Sequence, residues 1–235
     1  MNILITGTST GVGNGLAKHY LNQGHHVYGI SRKADEELNK NKNFKYLPQD
    51  LSNFKETEKN VGHFLKDLVT LDMVILNAGK LNEIKDLRDT SIEEIKDVMD
   101  INVWANKVLI DSIIKSVKQV VQIVAISSGA AVHGSRGWNA YSLSKATLNM
   151  LVDLYSKELP ETHIIALAPG LIDTNMQDYI YNHADEDKFP VVKKLKQAKG
   201  TPDMPTSVEA AKKISEAIAK ATKHESGGFI DVRSM

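Results

Sequence analysis

The sequence predicts an α/β fold in which about seven parallel strands form a doubly wound sheet with helices on both faces. Short apolar runs alternate along the chain with longer segments whose apolar residues recur at helical spacing. The short runs are apolar at nearly every position, which is typical of strands buried on both faces of a parallel sheet. This alternation favours crossover helices between neighbouring parallel strands.

Seven apolar runs are interpreted as strands because turn-forming residues follow them. The predicted strands cover residues 2–5, 26–30, 44–47, 73–76, 120–126, 164–168 and 228–232. The first ends in a turn of Thr, Gly and Ser, and the sixth ends at Pro169-Gly170. Since glycine and proline interrupt regular structure, these positions indicate strand boundaries.

Five longer segments are interpreted as helices because their apolar residues recur every three or four positions. They cover residues 12–22, 54–68, 91–116, 140–159 and 207–221. Gly24 is a stop signal after the first helix, and Pro160 ends the fourth. Thr90 or Ser91 is expected to cap the third, which has an acidic first turn.

Residues 175–205 depart from this pattern because they are rich in Lys, Asp, Gln and Pro. The segment follows the sixth strand, at the carboxyl edge where open α/β sheets bind ligands. We interpret it as a partly helical flap over a substrate pocket; the alternative is a solvated surface excursion. With no linker and no internal repeat, residues 1–235 are predicted to form a single domain.

The composition excludes several classes of site and partner. Lys plus Arg and Asp plus Glu both total 29, which gives no indication of a nucleic-acid-binding surface. There is no cysteine, so disulfides, thiol nucleophiles and cysteine-based metal sites are excluded, and we predict no bound metal. No signal peptide and no long apolar span can be recognised, and therefore we expect a cytoplasmic protein without a membrane partner.

A glycine-rich turn joins the first strand to the first helix, with the sequence Thr6-Gly7-Thr8-Ser9-Thr10-Gly11-Val12-Gly13. Glycines there permit positive φ and close approach of a pyrophosphate, which the N–H groups of the helix start would attract. The spacing is G-x-x-x-G-x-G rather than G-x-G-x-x-G. Its position favours a dinucleotide site over a plain structural turn. The residues expected to bind the cofactor here are Gly7, Ser9, Thr10, Gly11, Val12 and Gly13.

The end of the second strand predicts which dinucleotide would bind. An acidic residue at this point binds the ribose 2′-OH of NAD, whereas arginine accommodates the 2′-phosphate of NADP. The sequence has Ser31-Arg32-Lys33 and no carboxylate before Asp35. A hydroxyl and a guanidinium suit a phosphate, which favours NADP(H). Alternatively, Arg32 and Lys33 are ordinary surface cations.

Tyr141 and Lys145 lie four residues apart on a predicted helix and therefore share one face. An ammonium close to a phenol favours the phenolate, so Lys145 is expected to lower the pKa of Tyr141 and allow proton exchange near neutral pH. A half-buried aromatic beside a solvated lysine would have the same spacing.

Ser128 and Asn102 complete the candidate constellation. Ser128 follows the fifth strand and could hydrogen-bond a substrate carbonyl; capping of the strand end is the alternative, which we assign to Ser127. Asn102 lies within a predicted helix, where asparagine is unfavourable, although a surface amide would cost little. Asn77-Ala78-Gly79 ends the fourth strand with small residues that leave room for a cofactor, as a plain turn would also do.

Taken together, these residues resemble the short-chain dehydrogenase/reductase family, which has a Rossmann-type fold. The match runs from Thr6 to Val232. It includes, in order, the glycine turn, Asp50-Leu51, Asn77-Ala78-Gly79, Asn102, Ser128, Tyr141, Lys145 and Pro169-Gly170. The resemblance implies that Asn102, Ser128, Tyr141 and Lys145 form a catalytic tetrad, in which Asn102 holds a water that relays protons to Lys145. It also implies a homodimer or homotetramer.

The resemblance adds further cofactor-binding residues to the glycine turn and the strand-two tip. Asp50 and Leu51 would contact adenine, and Thr174 the nicotinamide amide. The remaining expected cofactor-binding residues are Ser31, Arg32, Asn77, Ala78, Gly79, Tyr141, Lys145, Pro169, Gly170 and Ile172.

A narrower resemblance concerns Gly137-Trp138 before Tyr141 and the segment from Asp173 to Gln177. These positions are similar to those of sepiapterin and benzil reductases, which reduce vicinal dicarbonyls with NADPH. The similarity places Trp138 beside the substrate, with Ser128 and Tyr141; a buried structural tryptophan is the alternative. Residues 175–205 show no pattern that matches those enzymes.

The sequence therefore predicts an oxidoreductase that reduces a small-molecule carbonyl with NADPH, with Tyr141 as proton donor. An alcohol or steroid dehydrogenase and a 3-oxoacyl reductase of the same family are alternatives. A non-enzymatic NADP(H)-binding sensor is a third reading, since one fold hosts many functions, but it gives no reason for all four tetrad residues to be present.

Overall fold

The computed structural model describes residues 1–235 and contains one seven-stranded parallel sheet. The strands are β1 Asn2–Thr6, β2 His26–Ser31, β3 Phe44–Pro48, β5 Met73–Leu76, β7 Gln122–Ile126, β8 His163–Ala168 and β9 Phe229–Asp231. Their order across the sheet is β3-β2-β1-β5-β7-β8-β9. The short strands β4 Thr70–Leu71 and β6 Gln119–Val120 form a separate parallel pair. Helices cover both faces of the sheet, which confirms the predicted fold class.

The sheet separates two apolar cores, and the side chains of each strand alternate between them. Ile3 and Ile5 of β1 pack in the core that includes residues of the helices Gly11–Asn22 and Ser207–Ala221. Leu4 packs on the opposite face, in the core that includes residues of the helices Phe54–Leu65, Ala105–Ser116 and Asn139–Glu158. All three residues are fully buried. Burial on both faces explains why the strands are apolar at almost every position.

The helices agree with the predicted pattern except at some boundaries, and the structure contains two short elements that were not predicted. Their bounds are α1 Gly11–Asn22, α2 Glu36–Asn39, α3 Phe54–Leu65, α4 Ile92–Met99, α5 Ala105–Ser116, α6 Asn139–Glu158, α7 Asn175–His183, α8 Pro190–Ala198 and α9 Ser207–Ala221. The sequence did not predict α2 or β4, each at most four residues long. The prediction that the helix from residue 54 extends to residue 68 was wrong, because α3 ends at Leu65.

The predicted helix over 91–116 is divided by a π-helical turn. Ser91 caps α4 in a reciprocal capping box with Glu94. The wider turn, Asp100–Trp104, separates α4 from α5 and contains Asn102. π-Helical turns are rare and frequently occur at functional sites. The strand predicted over 120–126 is likewise divided, at the exposed Val121, between β6 and β7.

Residues 175–205 contain α7 and α8, which pack in a third apolar cluster. Ile180 of α7 and Val192 of α8 are buried together with Ile84 and Trp138 from the body of the domain. The segment thus has an apolar contact surface of its own, and its role as a substrate flap stays a prediction. No helix of the chain is both long and apolar enough to cross a lipid bilayer.

Candidate active site

A cavity of about 890 Å³ opens at the carboxyl edge of the sheet. Parallel strands bring their carboxyl ends to one edge, so the turns after β1, β2, β3, β5, β7 and β8 all contribute to its wall. Every residue predicted for the site except Gly13 and Asn102 lines this cavity. These are Gly7, Ser9, Thr10, Gly11, Val12, Ser31, Arg32, Asp50, Leu51, Asn77, Ala78, Gly79, Ser128, Trp138, Tyr141, Lys145, Pro169, Gly170, Ile172 and Thr174.

The glycine turn has the conformation that its sequence requires. Gly7 and Gly11 have φ values of 75° and 61°, a region that favours glycine. Gly13 lies behind the turn, where a Cβ atom would come within 2.4 Å of the carbonyl oxygen of Gly7. Thr10 precedes α1 without a side-chain cap, which leaves the first N–H groups of the helix available to an anion. A pyrophosphate therefore fits this turn.

Thr6 and Asn77 hold the glycine turn against the end of β5. The Thr6 hydroxyl oxygen accepts hydrogen bonds from the N–H groups of Asn77 and Ala78, at 2.9 and 3.0 Å. The Asn77 amide in turn donates to the carbonyl oxygen of Thr6, at 2.9 Å. The side chain of Asn77 thus fixes the shape of the cavity floor.

At the end of β2, one cation lines the cavity, and the next carboxylate along the chain does not. Arg32 is exposed at the cavity wall. Asp35 does not line the cavity; it caps α2 and accepts a 2.9 Å hydrogen bond from the Asn14 amide. The Ser31 hydroxyl donates to the carbonyl oxygen of Lys33, at 2.8 Å. Ser31 can therefore accept a hydrogen bond from a ligand, but its own proton is engaged.

Lys145 lies almost fully buried in the wall of the cavity. Its Nζ donates to the main-chain oxygen of Ile126 at 2.7 Å and lies 5.7 Å from the centre of the Tyr141 ring. Burial lowers the pKa of Lys145 to about 8, because a charged ammonium loses hydration there.

The pKa of Tyr141 does not shift in the predicted direction. Burial raises it above the ordinary value for tyrosine, and the Ser128 side chain opposes this effect only in part. The prediction that Lys145 lowers this pKa is wrong for the protein by itself, because the ammonium is directed to the carbonyl of Ile126. A raised pKa keeps the phenol protonated, as a proton donor must be.

Ser128 takes the capping role that the sequence assigned to Ser127. The Ser128 Oγ accepts a 3.1 Å hydrogen bond from the N–H of Ala130 and so caps the short 3₁₀ turn after β7. Ser127, assigned to capping, instead donates to Asn149 of α6 at 2.6 Å. This bond does not use the Ser128 proton, which can be donated towards Tyr141 or a ligand in the cavity.

Asn102 is completely buried behind the cavity wall, so the surface-amide alternative is excluded. Its Oδ1 accepts from the N–H of Lys80 at 2.8 Å, and its Nδ2 donates to the Lys80 oxygen at 3.0 Å. A Cβ atom on Gly79 would come within 3.2 Å of that Oδ1 and 3.6 Å of the Lys145 Nζ. Glycine at position 79 thus allows Asn102 and Lys145 to lie close together.

The comparison with known proteins agrees with this geometry. The family model for short chain dehydrogenases matches residues 1–185. The chain belongs to the short-chain dehydrogenase family. It is 32% identical over 201 residues to a Bacillus cereus benzil reductase that forms (S)-benzoin, an alignment covering 79% of this chain and 81% of that protein.

Two solved structures show the same fold. A short-chain dehydrogenase/reductase of Saccharomyces cerevisiae superposes with a TM-score of 0.86 at 24% identity, over 98% of this chain and 95% of its own. The structure of ElxO with NADP bound gives a TM-score of 0.78 at 22% identity, over 98% and 96% of the two chains.

In this short-chain dehydrogenase, Ser144 connects two residues of the predicted tetrad. Its hydroxyl accepts a 2.9 Å hydrogen bond from the Asn102 amide and donates to the Tyr141 main-chain oxygen at 2.7 Å. The adjoining Asn106 is also buried, and its amide donates to the Asn102 main-chain oxygen at 2.8 Å. The sequence analysis missed both, although polar residues on the helix faces that were predicted to be buried were a usable signal.

Asn82 positions the start of α6 and with it the Tyr141 backbone. Its Oδ1 accepts from the N–H of Tyr141 at 3.1 Å, and its amide donates to Asn139 at 2.7 Å. Asn139 also donates to the main-chain oxygen of Lys85, at 2.8 Å. Sequence reasoning missed this network because Asn82 lies in a loop with no motif.

Trp138 is consistent with both interpretations offered above, a buried structural residue and a residue of the cavity wall. It is buried in the third apolar cluster with Ile84 and Phe189, yet it also lines the cavity. Further apolar residues line the cavity nearby, among them Leu171, Ile180 and Leu195. This end of the cavity therefore suits an apolar or aromatic group.

Proposed function

We propose that this oxidoreductase reduces the carbonyl group of an aromatic or vicinal dicarbonyl compound, with NADPH as the hydride source and Tyr141 as the proton donor. The observation that carries the proposal is the placing of Ser128, Tyr141 and Lys145 on the wall of one cavity. The glycine turn lines the same cavity, so a dinucleotide and a second molecule can share it.

The residues that would hold NADP(H) extend along this wall. The turn at Gly7 and Gly11 would take the pyrophosphate, while Asp50 and Leu51 would contact the adenosine end. Thr174, whose methyl carbon is 3.4 Å from the position of a Gly11 Cβ atom, would contact the nicotinamide end. When bound, NADPH supplies the hydride, and the protein orients the reactants.

The protein's own contribution is to hold the reacting oxygen and give it a proton. The Ser128 hydroxyl is free to donate to a carbonyl oxygen and so favours negative charge developing there. The raised pKa of Tyr141 keeps its proton on the phenol until the oxygen becomes basic enough to take it. Lys145, which lines the cavity, would bind the ribose beside the nicotinamide, and Asn102 would fix the adjacent wall.

The choice of NADPH over NADH rests on the end of β2. Arg32 lines the cavity at this point, whereas the Asp35 carboxylate is tied to Asn14 and α2. A guanidinium binds a phosphate well, and the first carboxylate after β2 in the chain, Asp35, does not line the cavity.

The chain is further proposed to form a homo-oligomer. Leu143, Met150 and Leu154 are about half exposed and share one face of α6. A stripe of this kind differs from scattered surface apolar residues and suits a protein interface.

The function is tested by NADPH and NADH oxidation against benzil, quinones, pterins, 3-oxoacyl thioesters and steroids. We expect the largest kcat/KM with NADPH and benzil or another aromatic dicarbonyl. Preference for the 3-oxoacyl thioester would refute the proposed substrate class, while the proposed reaction, carbonyl reduction, would still stand. Cofactor binding without turnover of any substrate would instead favour a sensor.

A further inference from the structure

One cation in the turn after β9 lines the cavity close to Gly129. Arg233 follows β9 in the 3₁₀ turn Val232–Ser234 and lines the cavity together with Ser128 and Tyr141. Its Nη2 lies 3.3 Å from where a Cβ atom of Gly129 would be, next to Ser128 in sequence. A larger residue than glycine at position 129 would therefore press on the guanidinium.

Asp231 holds the guanidinium in place. The Arg233 Nη2 and Nε donate to the two carboxylate oxygens of Asp231, at 2.6 and 3.0 Å. The same carboxylate accepts from the main-chain N–H of Arg233, at 2.9 Å. The Arg233 stem lies against Gly170, with Cγ 3.7 Å from the position of a Cβ atom there. The two bonds to Asp231 thus orient the guanidinium, although the side chain is 60% exposed.

We infer that Arg233 is a substrate-binding residue which donates a hydrogen bond to the second carbonyl oxygen of a vicinal dicarbonyl. This inference rests on the proposed carbonyl reduction and names the feature of the substrate that the site selects. Ser128 and Tyr141 take the oxygen that is reduced, and Arg233 takes the oxygen beside it.

The pairing with Asp231 decides which kind of substrate group Arg233 can bind. Because the carboxylate balances the guanidinium charge, a second carboxylate on the substrate would be repelled by Asp231. The Nη1 group makes no hydrogen bond within the protein and remains available. A neutral acceptor such as a carbonyl oxygen uses this donor without adding charge.

The experiment compares benzil with deoxybenzoin, which keeps both phenyl rings but has CH₂ in place of the second carbonyl. Arg233→Met retains an apolar stem and removes the donors, and Arg233→Lys retains one charged donor. Arg88→Met, an exposed arginine outside the cavity, is the matched control. Steady-state kinetics, NADPH binding and Tm are measured for each variant.

We expect Arg233→Met to lower kcat/KM for benzil by about 10- to 100-fold and to leave deoxybenzoin within about twofold, because the lost hydrogen bond involves a charged donor. Arg233→Lys should give an intermediate loss, while the control matches the wild type. NADPH binding and Tm should change little in every variant.

Three results would overturn the inference while carbonyl reduction stands. Equal losses of kcat/KM for benzil and deoxybenzoin would mean that Arg233 does not bind the second carbonyl oxygen. A raised Kd for NADPH would mean that Arg233 binds the cofactor. Unchanged benzil kinetics would mean that Arg233 only stabilises the 3₁₀ turn. If the wild type reduces neither ketone nor any other carbonyl compound, the proposed function fails and this inference fails with it.

Discussion

At the scale of single residues, burial rather than spacing decides the chemistry of Tyr141 and Lys145. The four-residue spacing places both side chains on one face of α6, and that much follows from helical geometry. Their pKa values depend on tertiary contacts that no local pattern contains. The main-chain oxygen of Ile126, at the end of β7, accepts a hydrogen bond from the Lys145 Nζ, which the sequence was expected to direct at Tyr141.

The first prediction concerns the proton donor. Tyr141→Phe should keep the fold and NADPH binding, because the ring remains, while kcat falls by about 10²–10⁴-fold through loss of general acid catalysis. Single-turnover hydride transfer with NADPH already bound measures this directly, and fluorescence of bound NADPH is the control. Transfer at near wild-type rate would contradict the mechanism.

Burial of Lys145 also has a consequence for stability. Its pKa falls to about 8 in the folded protein, below the usual value, so between about pH 8 and pH 10.5 the unfolded chain binds more protons than the folded one. Stability from this group therefore rises with pH across that window. At pH 7 the folded protein bears a charge that burial disfavours.

Lys145→Met should accordingly stabilise the cofactor-free protein at pH 7 by an amount on the order of 1–3 kcal/mol, and less at pH 10. It should abolish activity at both pH values. Urea unfolding of the two proteins at each pH measures the difference. A gain that is larger at pH 10 than at pH 7 would contradict the assigned direction of the pKa shift.

Arg32→Ala tests the cofactor preference at the same scale. Loss of charge-assisted hydrogen bonds to a 2′-phosphate costs about 1.5–3 kcal/mol, which corresponds to roughly 10- to 150-fold in affinity. The KM for NADPH should rise accordingly, and that for NADH should stay nearly constant. Equal or tighter binding of NADH by the wild type would mean that the assignment to NADP(H) is wrong.

At the scale of elements, the sequence predicts those parts that follow from periodicity and fails where tertiary contacts set the geometry. All seven strands of the main sheet and the helices from α1 to α9 outside the 175–205 segment follow apolar patterns, except the single-turn α2. The π-helical turn at Asp100–Trp104 has no such pattern. Within this turn the Asn102 side chain bonds to Lys80 and Ser144, which are tertiary contacts that a local pattern does not contain.

Gly79→Ala tests the packing of this turn against the end of β5. The added methyl would lie 3.2 Å from the Asn102 Oδ1, whose amide is held by bonds to Lys80 and Ser144 and cannot easily move. We expect a loss of about 1–3 kcal/mol in stability, typical of overpacking, and a fall in kcat. The φ of Gly79 is not positive, so a loss of stability in this variant would come from steric contact with Asn102 and not from backbone strain.

Gly134→Ala is the matched control for this change. No atom lies within 4 Å of a Cβ at Gly134, its φ is not positive, and it does not line the cavity. Its stability and kcat should stay close to those of the wild type. If both alanine variants behave alike, close packing between Gly79 and Asn102 is not a requirement of the site.

At the scale of the whole molecule, the parallel sheet explains why distant positions in the chain reach one cavity. Segments that follow β1, β2, β3, β5, β7 and β8 meet at one edge, so the cofactor and candidate catalytic positions could be predicted without any knowledge of contacts. Arg233 could not, because β9 reaches that edge from the end of the chain and no motif marks it. The substrate end is thus the least predictable part of the cavity.

The apolar stripe on α6 gives a prediction about assembly. Leu143, Met150 and Leu154 lie along one helix face and are 47%, 57% and 52% exposed, so pairing with a second copy would remove them from water. We expect the wild type to be a homodimer or homotetramer by light scattering. Met150→Glu combined with Leu154→Glu should dissociate it, because association would bury unpaired charges.

Val69→Glu combined with Val208→Glu is the control for that experiment, since both residues are exposed and lie outside α6. This variant should keep the wild-type mass while gaining the same charge. A monomeric wild type, or an α6 variant whose mass is unchanged, would show that the stripe is not an oligomer contact. Far-UV circular dichroism of the α6 variant separates dissociation from unfolding, because a folded monomer retains its helical signal.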